Sequence, residues 1–134
     1  MEIALPFWLF DTTSGADVTE VEEAAQRADA DSKRRLCCHR CRHVITDAGQ
    51  GMVFAGNRVH TRTNPAGITY DFACYRQAPG CAVDGPPTRE HSWFPGYAWQ
   101  VALCGDCGEH LGWRFRGRDG CFGLVLGRLV ENAA

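Results

Sequence analysis

The chain has almost no lysine: thirteen arginines stand against the single Lys33 among 134 residues. Nor are the arginines gathered into a stripe. They are scattered, with Arg40 and Arg42 beside a cysteine pair, so the continuous basic face that neutralises a phosphate backbone is missing and no nucleic-acid partner is expected. A chain so dominated by arginine fits a GC-rich genome and points to a bacterial source. Long apolar runs are lacking too. The stretch Ile3-Ala-Leu-Pro-Phe-Trp-Leu-Phe10 is short, contains Pro6, follows Glu2 rather than a basic region and leads into acidic residues, so neither a signal peptide nor a membrane span is expected. There is no internal repeat and no low-complexity tract. With nothing directing export, the cytoplasm is the expected compartment, and disulfides, which need an oxidising one, are the weaker reading of the eight cysteines.

What the chain does have is cysteine in pairs. Cys38-His-Arg-Cys41 and Cys104-Gly-Asp-Cys107 share the spacing that lets two thiolates converge on one metal ion, and together they supply the four ligands of a structural zinc site. Cys37 adjoins the first pair, but Cys38 keeps the spacing. Four thiolates leave no open coordination position, so one zinc ion is expected to contribute to folding rather than to chemistry. At this length the chain suits one domain with a modest core, which such a staple would help to hold.

The second pair lies inside the most informative stretch, His91 to Phe115, which holds three of the four tryptophans. Tyr97, Trp99, Val101 and Leu103 alternate before the cysteines, and Leu111, Trp113 and Phe115 alternate after them, so two strands flank a tight knuckle closed by Gly108. The hairpin makes Trp99 and Trp113 neighbours, well away from the metal. Trp93 precedes Phe94-Pro-Gly96, a turn that cannot continue as a regular strand. If that turn folds Trp93 over the hairpin, three indoles wall a small pocket suited to a compact flat ring or a cation, with loop backbone groups free to add directional hydrogen bonds.

Elsewhere the pattern is that of an all-β domain. His43-Val-Ile-Thr46 and Met52-Val-Phe54 read as short strands separated by the turn Asp47-Ala-Gly-Gln-Gly51. Val59–Thr63 and Ile68–Cys74 read as a hairpin around Asn64-Pro-Ala-Gly67, whose Pro65 and Gly67 suit a type I turn, with Ile68, Tyr70 and Phe72 on one face. Pro79-Gly80 and Gly85-Pro-Pro87 read as a loop, and Cys121–Leu126 as the closing strand. Charge divides the chain unevenly. Residues 1–35 carry eight acidic and four basic groups, and residues 36–134 carry eight acidic and ten basic. Residues 1–35 are therefore expected to be an acidic N-terminal tail, with a weak helix starting near Asp17 or disorder, and residues 36–134 the folded domain.

The runs Leu36-Cys-Cys-His-Arg-Cys41, Thr63-Asn-Pro-Ala-Gly67, Glu90-His-Ser-Trp-Phe-Pro-Gly-Tyr-Ala-Trp99, Cys104-Gly-Asp-Cys107 and His110-Leu-Gly-Trp-Arg-Phe115 occur in an order that resembles the CULT domain, the thalidomide-binding domain of cereblon. The resemblance runs from about Leu36 to Val130. It implies a β-tent fold: all β, two antiparallel sheets meeting at a steep angle and pinned by a four-cysteine zinc site. It implies that Trp93, Trp99 and Trp113 wall a glutarimide pocket with Phe115 at its base. His91, Ser92 and the backbone at Trp93 would form its hydrogen-bonding edge, with Asn64 on the rim. The implied ligands are cyclic imides of the thalidomide type and related rings, such as uracil-type bases, hydantoins or C-terminal cyclic imides on proteins. The parts that join cereblon to a ubiquitin ligase find no room in this chain, so a stand-alone binding module without that adaptor role is expected.

Two rivals come from other classes. Methionine sulfoxide reductase B has a similar zinc-pinned β fold, and its reaction needs a thiolate of low pKa. Of Cys37, Cys74, Cys81 and Cys121, none sits in the Arg-Tyr-Cys setting that reductase uses. Cys81, in a Pro/Gly-rich segment, is the candidate for a reactive thiol and the others read as packed, so no catalytic residue is expected. The second rival is a zinc-ribbon-like protein-interaction scaffold with no ligand pocket.

Overall fold

The computed structural model describes residues 34–132. Of the expected acidic tail, residues 1–35, residues 1–33 with the weak helix lie outside the described residues, and its last residue, Arg35, begins the first strand. Within those residues the chain is all β, with nine strands and two short 3-10 turns at Ala48–Gln50 and Leu126–Arg128. β1 (Arg35–Cys38), β2 (Val44–Asp47) and β9 (Leu129–Asn132) form a small antiparallel sheet in the order β2-β1-β9. The other six form a larger antiparallel sheet in the order β3-β4-β8-β7-β6-β5: β3 (Val59–Thr63), β4 (Thr69–Tyr75), β5 (Cys81–Thr88), β6 (Ala98–Cys104), β7 (His110–Arg116) and β8 (Gly120–Val125). This is the expected β-tent architecture of two antiparallel sheets with a four-cysteine cluster.

Local chemistry explains the turns. In the β3–β4 hairpin Gly67 N–H donates to the Asn64 carbonyl at 2.9 Å, the bond of the expected type I turn, and Gly67 takes φ +87°. Asn64 Oδ1 accepts from the Ala66 and Ile68 N–H groups at 3.0 and 2.9 Å, so its side chain holds its own turn. The two cysteine knuckles close alike. Gly108, one past Cys107, has φ +81°, and Arg42, one past Cys41, has φ +69°. The left-handed position is free for glycine and strained for arginine, whose Nη1 offsets part of that cost by donating to the His39 carbonyl at 2.9 Å.

The large sheet is packed on both faces. Ala73, Tyr75, Leu111 and Leu124 meet Cys38 and Ile45 of the small sheet, with Leu36 and Leu129 against them, and this cluster joins the two sheets. On the other face Phe72, Cys74, Trp113, Phe115 and Cys121 pack with Phe54 and Phe94. The register shows why: Phe115 faces Cys121, Trp113 faces Gly123, and Cys74 faces the same Gly123 from β4. β7 and β8 approach so closely that a Cβ on Gly112 would lie 1.9 Å from the Gly123 carbonyl oxygen.

Three local expectations are corrected. Residues 81–88, read as a loop because of Gly85-Pro86-Pro87, form the edge strand β5, and its register slips between Asp84 and Thr88 where Gly85 takes φ +77°. An edge strand needs ladder donors on one side only, so prolines at a bulge do not break it. Met52–Phe54 is not a strand; only the isolated bridges Gly51–Tyr75 and Phe54–Asn57 form there. Ile68, 50% exposed, precedes β4, leaving Tyr70 and Phe72 as the inward members of that face.

Candidate functional site

The four cysteines named from their spacing come together. Cys38, Cys41, Cys104 and Cys107 each offer one Sγ, and all four atoms lie within 4.8 Å of one another. The Cys38–Cys107 and Cys41–Cys104 sulfur separations are 3.7 and 3.5 Å. A tetrahedral zinc with bonds of about 2.3 Å places its sulfurs about 3.8 Å apart, so the cluster fits such an ion with little adjustment. Backbone N–H groups of Arg40 and Asp106 point at Cys38 Sγ and Cys104 Sγ from 3.4 Å each, the arrangement that stabilises thiolates. Glu109 binds the two knuckles together: its carboxylate lies 2.6 Å from His39 Nε2 and 3.5 Å from Arg40 Nη1. The His39 contact, then Arg40, hold that carboxyl below the usual carboxylate range.

The aromatic site is separate and lies on the opposite face of the large sheet. A cavity of about 330 Å³ is lined by Asn64, Pro65, Tyr70, His91, Trp93, Trp99, Val101, His110, Trp113 and Phe115. β6 and β7 set two walls: Trp99 is paired with Phe115 and Val101 with Trp113, so all four side chains leave the same face. The predicted alternation along β6 holds, but its apolar face is the more open one. Gln100, Ala102 and Cys104 are buried, while Trp99 and Val101 are half-buried because they border a cavity instead of a closed core.

Trp93 is the third wall, brought from the loop between β5 and β6. Its ring lies 4.9 Å from that of Trp113 at 76° and stacks on Phe72 at 5.6 Å and 17°. Trp93 Nε1 donates to the Thr63 carbonyl at 3.0 Å and Trp99 Nε1 to the Glu90 carbonyl at 2.8 Å, so each indole fastens the loop to its surroundings. Among the described residues Trp99 pairs with no other aromatic ring, leaving its face turned to the cavity. Phe115, 1% exposed, closes the base.

His91, at φ +59°, is one of the few non-glycine residues in the left-handed region, and it borders the cavity. The Ser92 and Tyr97 N–H groups donate to the Arg89 and Phe94 carbonyls. Among the described residues the Trp93 N–H and the His91 carbonyl have no hydrogen-bond partner. An unpaired donor and an unpaired acceptor thus stand two residues apart at the edge of an aromatic cavity. Ser92 does not line it; its hydroxyl donates to the Phe94 carbonyl at 3.1 Å and accepts from the Phe94 N–H at 3.3 Å. Pro65, Tyr70, Val101 and His110 were not foreseen as lining residues. Tyr70 and Val101 were readable from the alternation they share with Phe72 and Trp99, whereas His110 carried no signal in the sequence.

Of the thiols outside the cluster, Cys37, Cys74 and Cys121 are buried. Cys81, the expected reactive candidate, is half-buried opposite Cys104 in β5, and burial, then the nearby Cys104 and Cys38, push its pKa up to about 12. Cys74 is drawn down by a hydrogen bond from Cys121 and by His60, but it is fully buried. Cys121, also fully buried, is pushed well above the usual thiol range by that contact and by burial.

The described residues thus form an all-β domain whose four clustered cysteines could hold a metal ion and whose large sheet carries an aromatic cavity on one face. No protein-family model matches the chain. It is 37% identical over 83 residues to protein cereblon of Gallus gallus, 60% of this chain and 18% of that protein. To protein cereblon of Danio rerio it is 34% identical over 84 residues, 60% and 19% of the two chains. To that of Drosophila willistoni it is 32% identical over 109 residues, 71% and 18%. The chain carries a cereblon-like domain. It spans less than a fifth of the length of these curated relatives.

Proposed function

We propose that the domain is a non-catalytic receptor that holds a small cyclic imide, or a related planar ring, between Trp93, Trp99 and Trp113, on a scaffold stapled by one structural zinc. The observation that carries this is the unpaired edge at the cavity. An imide presents carbonyl, N–H and carbonyl in one plane. The Trp93 N–H donates to one imide carbonyl and the His91 carbonyl accepts the imide N–H, while the ring methylenes lie against the indoles. Among the described residues no carboxylate lines the cavity, which favours a neutral ring over a cation. Uracil-type rings, hydantoins and C-terminal cyclic imides of proteins present the same edge and belong to the same proposed ligand class.

Zinc is the ion that four thiolates at these separations suit, and it would be held by Cys38, Cys41, Cys104 and Cys107. When bound it supplies folding energy and no open coordination position. The buried or high-pKa thiols support a binding role over a reductase one. Neither nucleic acid nor a ubiquitin-ligase adaptor is proposed as a partner. Among the described residues no helix is long and apolar enough to cross a membrane.

The test is calorimetric titration with glutarimide, succinimide, hydantoin, uridine and free methionine sulfoxide. A ligand of about eight heavy atoms is bounded near −1.5 kcal/mol per atom, and a half-open cavity falls short of that, so a Kd of about 1 μM, about −8 kcal/mol, is expected. Methionine sulfoxide is expected not to bind. A protein that ignores every ring and stays folded would leave only a scaffold role.

A further inference from the structure

Arg128 does not line the cavity, yet it touches two residues that do. It ends the 3-10 turn between β8 and β9. Its Nη1 donates to the His110 carbonyl at 2.8 Å and lies 3.4 Å from His110 Nδ1, and its guanidinium carbon stands 5.7 Å from the centre of the Tyr70 ring. A guanidinium can only donate, so Nδ1 is the acceptor and the ring proton sits on Nε2. That is where the Gly112 carbonyl, 3.0 Å away, takes a donor. The imidazole is therefore fixed in one tautomer from both sides. Burial first, and the charge of Arg128 with it, hold its pKa below the ordinary imidazole value against the pull of the Gly112 carbonyl, so the ring is neutral at physiological pH.

Held in this way, His110 stands perpendicular to Trp113, with ring centres 5.1 Å apart at 87°. Tyr70 meets the same indole at 5.0 Å and 75°. Both outer contacts of the Trp113 wall thus rest on one guanidinium. The backbone of Arg128 is anchored in turn, because its carbonyl accepts from the His39 N–H at 3.0 Å, inside the first cysteine knuckle. Resting on the reading of the cavity as a ring site, we infer that Arg128 is a positioning residue of the cage, setting the Trp113 wall through His110 and Tyr70 from a turn moored to the metal-binding knuckle.

The experiment pairs glutarimide calorimetry with NMR of the histidine and indole ring nitrogens at pH 7 on the zinc-loaded full chain. R128M is expected to keep its zinc, weaken glutarimide at least tenfold, and move His110 from a single Nε2–H tautomer to a mixture, with a shift of the Trp113 indole signal. In an H110F background, where the Nδ1 acceptor is gone but the main-chain carbonyl of residue 110 and the Tyr70 contact remain, R128M is expected to cost less than it does in the wild type. Wild-type affinity and an unchanged His110 tautomer in R128M would overturn the inference. So would an undiminished cost of R128M in the H110F background, which would mean that Arg128 does not act through His110. If R128M fails to fold, R128L, which likewise removes both the donor and the charge, is read by the same criteria. If the wild-type chain binds no glutarimide, the ring-site reading fails by itself. The ring-nitrogen signals of R128M then decide the inference alone: changed, it stands; unchanged, it falls.

Discussion

Trp99→Ala separates binding from folding more cleanly than any other change in the cage. Trp99 is half-buried and pairs with no other ring among the described residues, whereas Trp113 is 8% exposed and touches Tyr70, Phe72, Trp93 and His110. Truncating Trp113 is a core deletion worth about 3–5 kcal/mol of stability; truncating Trp99 removes one wall and one hydrogen bond, about 1 kcal/mol. A six-membered ring lying on an indole face removes about 40–50 Å² of apolar surface on each partner, about 2–2.5 kcal/mol at 25 cal/mol per Å². Some of the Nε1 bond to the Glu90 carbonyl also holds the loop that bears His91 and Trp93, so loop ordering adds a few tenths. Glutarimide affinity is therefore expected to fall about 30- to 100-fold, with the melting midpoint lowered by only about 4–8 °C. Trp99→Phe, which keeps a ring but no N–H, is expected to lose about tenfold or less. Calorimetry is the suitable assay, because the substitution removes a fluorophore. A folded Trp99→Ala protein that binds glutarimide within threefold of wild type would show that Trp99 is not a wall, and the proposed geometry of the site would fall with it.

Other outcomes follow from the same geometry. Elemental analysis is expected to give one zinc per chain, and a strong chelator or Cys104→Ser is expected to unfold the domain, as circular dichroism would show. N-methylglutarimide is expected to bind at least tenfold more weakly than glutarimide, since the methyl group replaces the hydrogen offered to the His91 carbonyl; equal affinities by calorimetry would refute the edge. Gly112→Ala puts a Cβ 1.9 Å from the Gly123 oxygen, a clash with backbone that no rotamer relieves, and its melting midpoint is expected to fall by more than about 10 °C if folded protein is recovered. Deleting residues 1–33 is expected to leave zinc content, melting midpoint and glutarimide affinity unchanged, because the four clustered cysteines and, among the described residues, the cavity lining lie beyond them.

The parts of the fold legible in the sequence were those written locally. Equal Cys-x-x-Cys spacings place two thiolates each without reference to anything distant, and the cluster of four is their simplest union. Alternation along 99–103, with Trp113 and Phe115 across the hairpin, fixes which side chains share a face once the knuckle folds the strands together, so Trp99, Trp113 and Phe115 could be assigned to one wall system, whereas Leu111, at the register shift opposite Ala102 and Leu103, packs in the other cluster. β5 was illegible for the converse reason: Gly85-Pro86-Pro87 speaks against a strand, and only its place at the sheet edge makes the strand possible. Asn64 and Ser92 are polar residues of the right kind near the site, but their side-chain oxygens are engaged by their own turns, a competition that residue type alone does not reveal. His110 was unreadable as a cavity residue because its place depends on Arg128, eighteen residues away along the chain.

The loop from Arg89 to Tyr97 has no periodicity to set it, and its rigidity comes from where two indole N–H groups go. Trp93 reaches from the loop to the β3 carbonyl of Thr63, and Trp99 reaches from β6 back to the loop carbonyl of Glu90, so the segment is tied at both ends to regular structure. Those donors are consequently not offered to a ligand, and the unpaired groups at the edge are main-chain ones, the Trp93 N–H and the His91 carbonyl. A backbone edge held by side-chain ties is preorganised: the ordering cost falls on folding instead of on binding. The specificity proposed for the site therefore rests on where the His91 and Trp93 backbone is held. Substituting the His91 side chain with retention of its left-handed turn, as in His91→Asn, is expected to change affinity less than Trp93→Phe, which keeps the ring but releases the Thr63 tie. The reverse order in calorimetric titrations would assign the recognition to the imidazole.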